Sequence, residues 1–300
     1  MIKVLFIFTH MIRFNLFFFL FIPLPGITQE KLQGTVESFS GKEPIPYVNI
    51  IPIGKQGGAY SDEEGFFEIN VTSVDSLIFS SIGYKRITIC VEDIKNQNHK
   101  VYLHPDIAFL QSVTIKAKKV KVKSDRKEFG YLKTKRRSTI SAGMPGIQFA
   151  TFIKNDFQQE GFIESLLLGI TAEKKSRIRI RFYEPTVKNS VGAEITKQNF
   201  LFDVAGHHKP LKIDMAKYQI PFSTAGIVVA IEFLGELDKD GKIRKGTISK
   251  TMLYLTDGKD AERNTWQSYR ERTFVRESFS DNQQNTSNAM IGLSAIFYRD

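Results

Sequence analysis

Apolar positions in this chain recur mostly at every second residue, or in short runs, between clusters of Gly, Pro, Asn and Asp. That spacing puts successive side chains on opposite faces of an extended backbone and predicts strands, and no long stretch keeps helical spacing. The first set runs Lys31–Ser38, Tyr47–Ile53, Phe66–Val71, Leu77–Ser81, Ile87–Val91, Val101–Leu103 and Leu110–Ala117. About seven short strands in so few residues is the count of a β-sandwich. Asp62-Glu63-Glu64-Gly65 predicts a tight turn, with Asp capping the backbone and Gly taking the left-handed position. A second set runs Gly146–Ile153, Gly161–Ile170, Arg177–Tyr183, Asn199–Val204, Leu211–Met215, Ile227–Leu234, Lys250–Leu255 and Ile291–Tyr298. Asp260 to Asn288, rich in Arg, Ser, Asn and Gln, reads as a long excursion before the last strand. The expected fold class is all-β: a seven-strand sandwich over residues 31–117, then a second, larger antiparallel sandwich, jelly-roll-like, over 139–300.

The N-terminus departs from this pattern. Met1 to Phe8 and Phe14 to Ile22 are apolar, Arg13 precedes the second run, and Pro23, Pro25 and Gly26 break it. A positive flank, a short apolar run and a helix-breaking exit make a secretory signal over residues 1–28, with cleavage near Thr28 or Gln29. The run falls short of the roughly 20 apolar residues a membrane span needs, and an uncleaved anchor is the competing reading. Met11 offers a second start with a compact signal of its own. The expected destination is the periplasm or the outer membrane, or secretion.

The net charge of +10 suggests a nucleic-acid partner until it is located. Lys116 to Arg137 carries eleven Lys or Arg against Asp125 and Glu128, while the rest of the mature chain is near neutral. The basicity therefore belongs to a linker, residues 118–138, and no nucleic-acid partner is expected. A block of like charge is a solvated tether, or a contact for an anionic glycan or membrane face.

Several ordered motifs carry a family resemblance. Gln33-Gly34-Thr35-Val36 and Pro46-Tyr47-Val48-Asn49-Ile50 are followed by Ser61-Asp62-Glu63-Glu64-Gly65-Phe66-Phe67 and by Asp75 to Ser81 running into Ile82-Gly83-Tyr84. Val101-Tyr102-Leu103 and Leu110 to Ile115 close the series. Together they resemble the carboxypeptidase regulatory-like (transthyretin-like) domain. The resemblance implies a non-catalytic sandwich of Bacteroidota envelope proteins, often placed before an outer-membrane receptor barrel or behind a metallocarboxypeptidase. It covers under a third of the chain. The residues after it are too few for a 22-stranded transporter.

Candidate chemistry is sparse. Cys90, the only cysteine, alternates with Ile89 and Val91 and reads as a small buried hydrophobe. No His is followed by Glu at zinc-peptidase spacing, and His207-His208, between Gly206 and Lys209-Pro210, read as an exposed turn. Asp238-Lys239-Asp240-Gly241 partly fits a calcium loop, but Thr247 stands where the closing Glu belongs, so a hairpin is expected. Arg177, Arg179 and Arg181 alternate with Ile178 and Ile180, giving a stripe expected to be a solvated outer face. As a site, that stripe would grip carboxylates or sulfates of a polysaccharide. Trp266 and Tyr269 form a candidate sugar-stacking pair. No nucleophile elbow, phosphate loop or nucleotide fingerprint occurs, so no catalytic residue, metal or cofactor is expected. The function that follows is an exported, non-enzymatic module that binds an envelope protein or a glycan. The alternative is a secreted carbohydrate-active enzyme with paired carboxylates in the second sandwich.

Overall fold

The structure, a computed structural model, describes residues 30–106, 124–133, 138–244, 249–256, 262–270, 273–276 and 287–298. The expected signal, the strand Leu110–Ala117 and residues 118–123 and 134–137 of the basic linker lie outside them.

The N-terminal sandwich starts with β1 (Lys31–Ser38), where Leu32, Val36 and Ser38 turn inward while Lys31 and Gln33 face solvent. It pairs antiparallel with β4 (Phe66–Asn70) and parallel with β7 (Lys100–Leu103). The facing sheet runs β3-β2-β5-β6, from β2 (Asn49–Pro52), β3 (Ala59–Tyr60), β5 (Ser76–Ser80) and β6 (Ile87–Cys90). Leu32, Val36, Ile50, Phe67, Leu77, Phe79, Val101 and Leu103 interdigitate between the sheets. The Asp62 turn forms as expected: its Oδ1 accepts the backbone N–H of Glu64 and Phe66, and Gly65 takes φ +74°.

Two expectations for this sandwich are corrected. The strand predicted through Val91 gives way to helix α1 (Val91–Asn96), whose Val91 and Ile94 enter the core one turn apart. Glu92 and Asp93 in its first turn suit the positive end of the helix. Cys90 is exposed, because β6 is an edge strand with Ile87 and Ile89 facing the core.

The second domain is one twelve-stranded antiparallel sheet organised by β11 (Gly161–Pro185). A straight strand of 25 residues would run about 80 Å at the usual rise, so it must bend. It does so at Ala172 to Ser176, where the register slips and Glu173, Lys174 and Lys175 face solvent. On one edge β13 (Phe200–Asp214) follows it along most of its length. On the other edge β19 (Ile291–Tyr298), β16 (Ser249–Tyr254) and β15 (Ile227–Glu236) succeed one another. β10 (Ile147–Ile153) and β17 (Thr265–Tyr269) extend the sheet beyond β15. The sheet is completed by β8 (Ser124–Gly130) beside β19, β9 (Thr139–Gly143) beside β16, β18 (Val275–Arg276) beside β17, and β12 (Val191–Glu194) and β14 (Pro221–Phe222) beside β11. Both halves of β11 face one core, with Ile163, Leu166 and Leu168 from one and Ile178, Ile180 and Phe182 from the other. The fold is thus all-β, with a curled sheet packing on itself.

Several predicted segments merge or move. Gly161–Ile170 and Arg177–Tyr183 are one strand, and so are Asn199–Val204 and Leu211–Met215 up to Asp214. His207 and His208 therefore lie within β13, opposite Thr171 and Ile170, rather than in a turn. Pro210 fits there because β13 is an edge strand with an irregularity beside it. The basic segment is not all linker, since its Ser124–Gly130 portion is β8, paired residue by residue with β19. The excursion after Asp260 contains β17 and β18. The Asp238 turn is a hairpin turn, bridged between Leu237 and Ile243, with Gly241 at φ +81°.

Phe297 is 1 % exposed and meets Phe129, Phe157 and Phe222 at 4.7–6.3 Å. Phe297→Ala should cost roughly 3–5 kcal/mol, read as a lower urea midpoint with an unchanged slope. A loss under about 1 kcal/mol would contradict this packing.

Candidate functional site

The outward face of the second sheet carries the site. Strand register sets Arg179, Glu232, Gln148 and Ser268 in one row across β11, β15, β10 and β17. The next row is Arg181, Ala230, Ala150 and Trp266. The alternation read in β11 is therefore real, but the face it defines is not solvated. Arg179 is 2 % exposed because the N-terminal sandwich lies over it, and Arg181, 7 % exposed, is enclosed with Glu194 and Tyr183 of its own domain.

Each buried charge there has a partner. Arg179 donates to Glu232 Oε2 at 3.3 Å and, across the domain boundary, to the Tyr47 carbonyl at 2.7 Å. Tyr60 of the first domain donates its hydroxyl to Glu232 Oε1. Arg181 forms a fork with Glu194 at 2.9 and 2.6 Å. Arg177 forks onto Asp203 and also reaches Glu63 and the Tyr47 hydroxyl of the N-terminal sandwich. The joint is an ionic and aromatic seam, with Arg177 and Arg179 reaching across it from the second domain and Arg181 pairing beside them within that domain.

Arg270 crosses the seam in the same direction. It is 4 % exposed, and its Nη1 donates to Asn49 Oδ1 and the Ala59 carbonyl, both at 3.0 Å. Its guanidinium lies over the Tyr60 ring at 4.5 Å. Two glycines make its channel. A Cβ on Gly58 would come within 2.9 Å of Arg270 Cδ, and one on Gly146 within 2.6 Å of its Cγ.

Beside this seam opens a cleft of about 750 Å³. Tyr47, Tyr60, Glu63 and Glu68 line it from the first domain, and Met144, Asp238, Lys242, Arg244, Tyr269 and Arg270 from the second. Of the residues singled out in sequence, Tyr269 reaches this cleft. Trp266 is instead 3 % exposed, in a small apolar cluster with Phe152 and Val228. His207 and His208 take local partners, Thr171 and the Ala205 carbonyl. Among the described residues no group of three or more His, Cys, Asp or Glu is placed to hold a metal. Tyr60, Glu232, Gln148 and Arg270 were missed. Glu232 had a signal, being the lone charge in the apolar run Ile227–Leu234.

The electrostatics follow from the contacts. Burial and then the adjacent Glu232 push the Tyr60 phenol well above its ordinary value of 10. Burial and the Glu63 hydrogen bond raise Tyr47 to about 12. The Arg177 hydrogen bond pulls both Glu63 and Asp203 below their ordinary values of 4.5 and 3.8. Depressed carboxylate values stabilise the fold fully above the unfolded values, and that contribution is lost as pH falls through the folded ones. Acidification below about pH 4 should therefore loosen the joint, seen as faster amide exchange along β2, β3 and the facing end of β11. Arg177→Gln should show the loosening already at neutral pH and a flatter acid response. An identical acid response in both proteins would refute the assignment.

Glu232→Ala leaves Arg179 buried without its acid and should cost about 3–5 kcal/mol. The double change Arg179→Met with Glu232→Leu should recover part of this by removing both charges. Urea unfolding of the two variants beside the parent chain checks the order.

No curated protein and no solved structure matches the chain. The sequence profile of the CarboxypepD_reg-like domain matches residues 32–115, the span of the N-terminal sandwich and the segment behind it. Residues 32–115 are a CarboxypepD_reg-like domain.

Proposed function

We propose that this chain is an exported, non-enzymatic binding protein of the cell envelope, and that its ligand, a glycan or an envelope protein, seats in the cleft between the two domains. The observation that carries this reading is the state of the acids around the cleft. Asp62 and Asp238 accept backbone N–H groups of their own turns. Glu68 holds Lys31 and Gln33, and Glu63 holds Arg177 and Tyr47. A general acid needs a carboxyl raised towards neutrality, and Glu63 is shifted the other way. Aromatic rings beside engaged polar groups support recognition over turnover. The apolar N-terminal segment with its Pro-Gly exit motivates export. No helix among the described residues is long and apolar enough to cross a membrane. The basic segment before β8 would add electrostatic attraction to an anionic envelope surface.

Two measurements test this. Cell fractionation should find a product shortened near Thr28 in the envelope fractions, and a full-length cytosolic product would overturn export. A photo-crosslinker at Met144, 55 % exposed at the cleft mouth, should capture an envelope component or an array glycan. Empty capture on both, or reducing ends released from a captured glycan, would refute a binding role.

A further inference from the structure

We propose that Arg270 anchors the carboxylate of an acidic sugar, a hexuronate unit, in the interdomain cleft. This rests on the cleft being the ligand site and names what that ligand must carry. Arg270 lines the cleft yet is nine-tenths buried, and no Asp or Glu among the described residues lies within ion-pair distance of it. Its neighbours along the seam differ in this respect: Arg177 has Asp203 and Glu63, Arg179 has Glu232, and Arg181 has Glu194. Glu232 makes no ion pair with it, being engaged instead by Tyr60, Arg179 and Arg181.

Burying a guanidinium without an anion is costly. The fold nevertheless holds it firmly, through Nε to the Tyr269 hydroxyl at 3.2 Å and Nη1 to Asn49 and the Ala59 carbonyl. Nη2 donates to no residue among those described. A guanidinium held at Nε and Nη1, with the two N–H groups of Nη2 left over, suits a carboxylate arriving from the cleft. Gly58 and Gly146 leave room for the Arg270 side chain that carries the guanidinium there.

The surroundings favour a sugar over a peptide. Peptide capture by strand addition needs a free sheet edge. The edge strand here, β3, is two residues long, and Arg270 already occupies its Ala59 carbonyl. What the cleft offers instead is the Tyr60 and Tyr269 rings with Lys242 and Arg244 in its lining. Its acids, Asp62, Glu63, Glu68 and Asp238, are engaged by the protein's own donors and leave acceptor positions for the hydroxyls of a ring with one acid.

Calorimetry with oligogalacturonide, its methyl ester and an acidic peptide tests this on the mature chain. The free acid should bind, and the ester should bind roughly tenfold to a hundredfold more weakly, the weight of charge-assisted hydrogen bonds. Arg270→Gln should bring the acid to the level of the ester, with circular dichroism confirming the fold. Met144→Trp, at the cleft mouth, should weaken binding without touching the seam. Equal binding of acid and ester would overturn the proposal, as would an Arg270-dependent preference for the peptide. A neutral glycan blocked by Met144→Trp but indifferent to Arg270→Gln would overturn the carboxylate anchor while leaving the cleft as a binding site. Absence of any cleft ligand would remove both.

Discussion

The arrangement of this molecule depends on Arg179. Its guanidinium lies under the N-terminal sandwich, shares Glu232 with Tyr60, and donates to the Tyr47 carbonyl. A buried charge of this kind adds little net stability compared with an apolar substitute, but it tolerates very few geometries. Two sandwiches joined by an apolar patch could slide past each other by a side chain's width. Joined through Arg179, Glu232 and Tyr60, they have one seating in which both Glu232 oxygens and both terminal nitrogens of Arg179 find partners. The cleft beside the seam inherits that fixed geometry, since Tyr60 and Arg270 belong to both.

The two domains were legible in the sequence to different depths. The first has short strands closed by turns with their own chemistry, such as the Asp62 side chain on two backbone N–H groups and Gly65 at positive φ. Local rules suffice for such segments. The second is built on β11, which outruns any window in which alternation can be read. Glu173, Lys174 and Lys175 interrupt its pattern because the strand turns a corner there, and three charges between apolar runs look like a loop. Pro210 misled in the same way beside an irregular pairing on an edge strand.

The site was legible only in part, because it is made by tertiary contact. Arg177, Arg179 and Arg181 were correctly placed on one face, but alternating charge is read as solvated when nothing in sequence reveals a second domain covering it. Glu232 is the complementary signal on a different strand, and only the register of β11 against β15 brings the two together. Arg270 follows a strand end, at φ +48°, inside a stretch dominated by polar residues. Its role comes from the gap between Gly58 and Gly146, residues almost ninety positions apart.

The position of β19 has a consequence for how the molecule is made. This strand sits between β11 and β8, with Leu293 and Phe297 filling the shared core. Residues 126 and 296 are thereby neighbours, a pairing of very long loop closure and slow formation. During vectorial synthesis, the first sandwich can close as soon as its own strands emerge. The second keeps an open, unpaired edge until residues 291–298 arrive, and such edges invite pairing with other chains. That exposed edge favours holdase assistance until the last strand is in place.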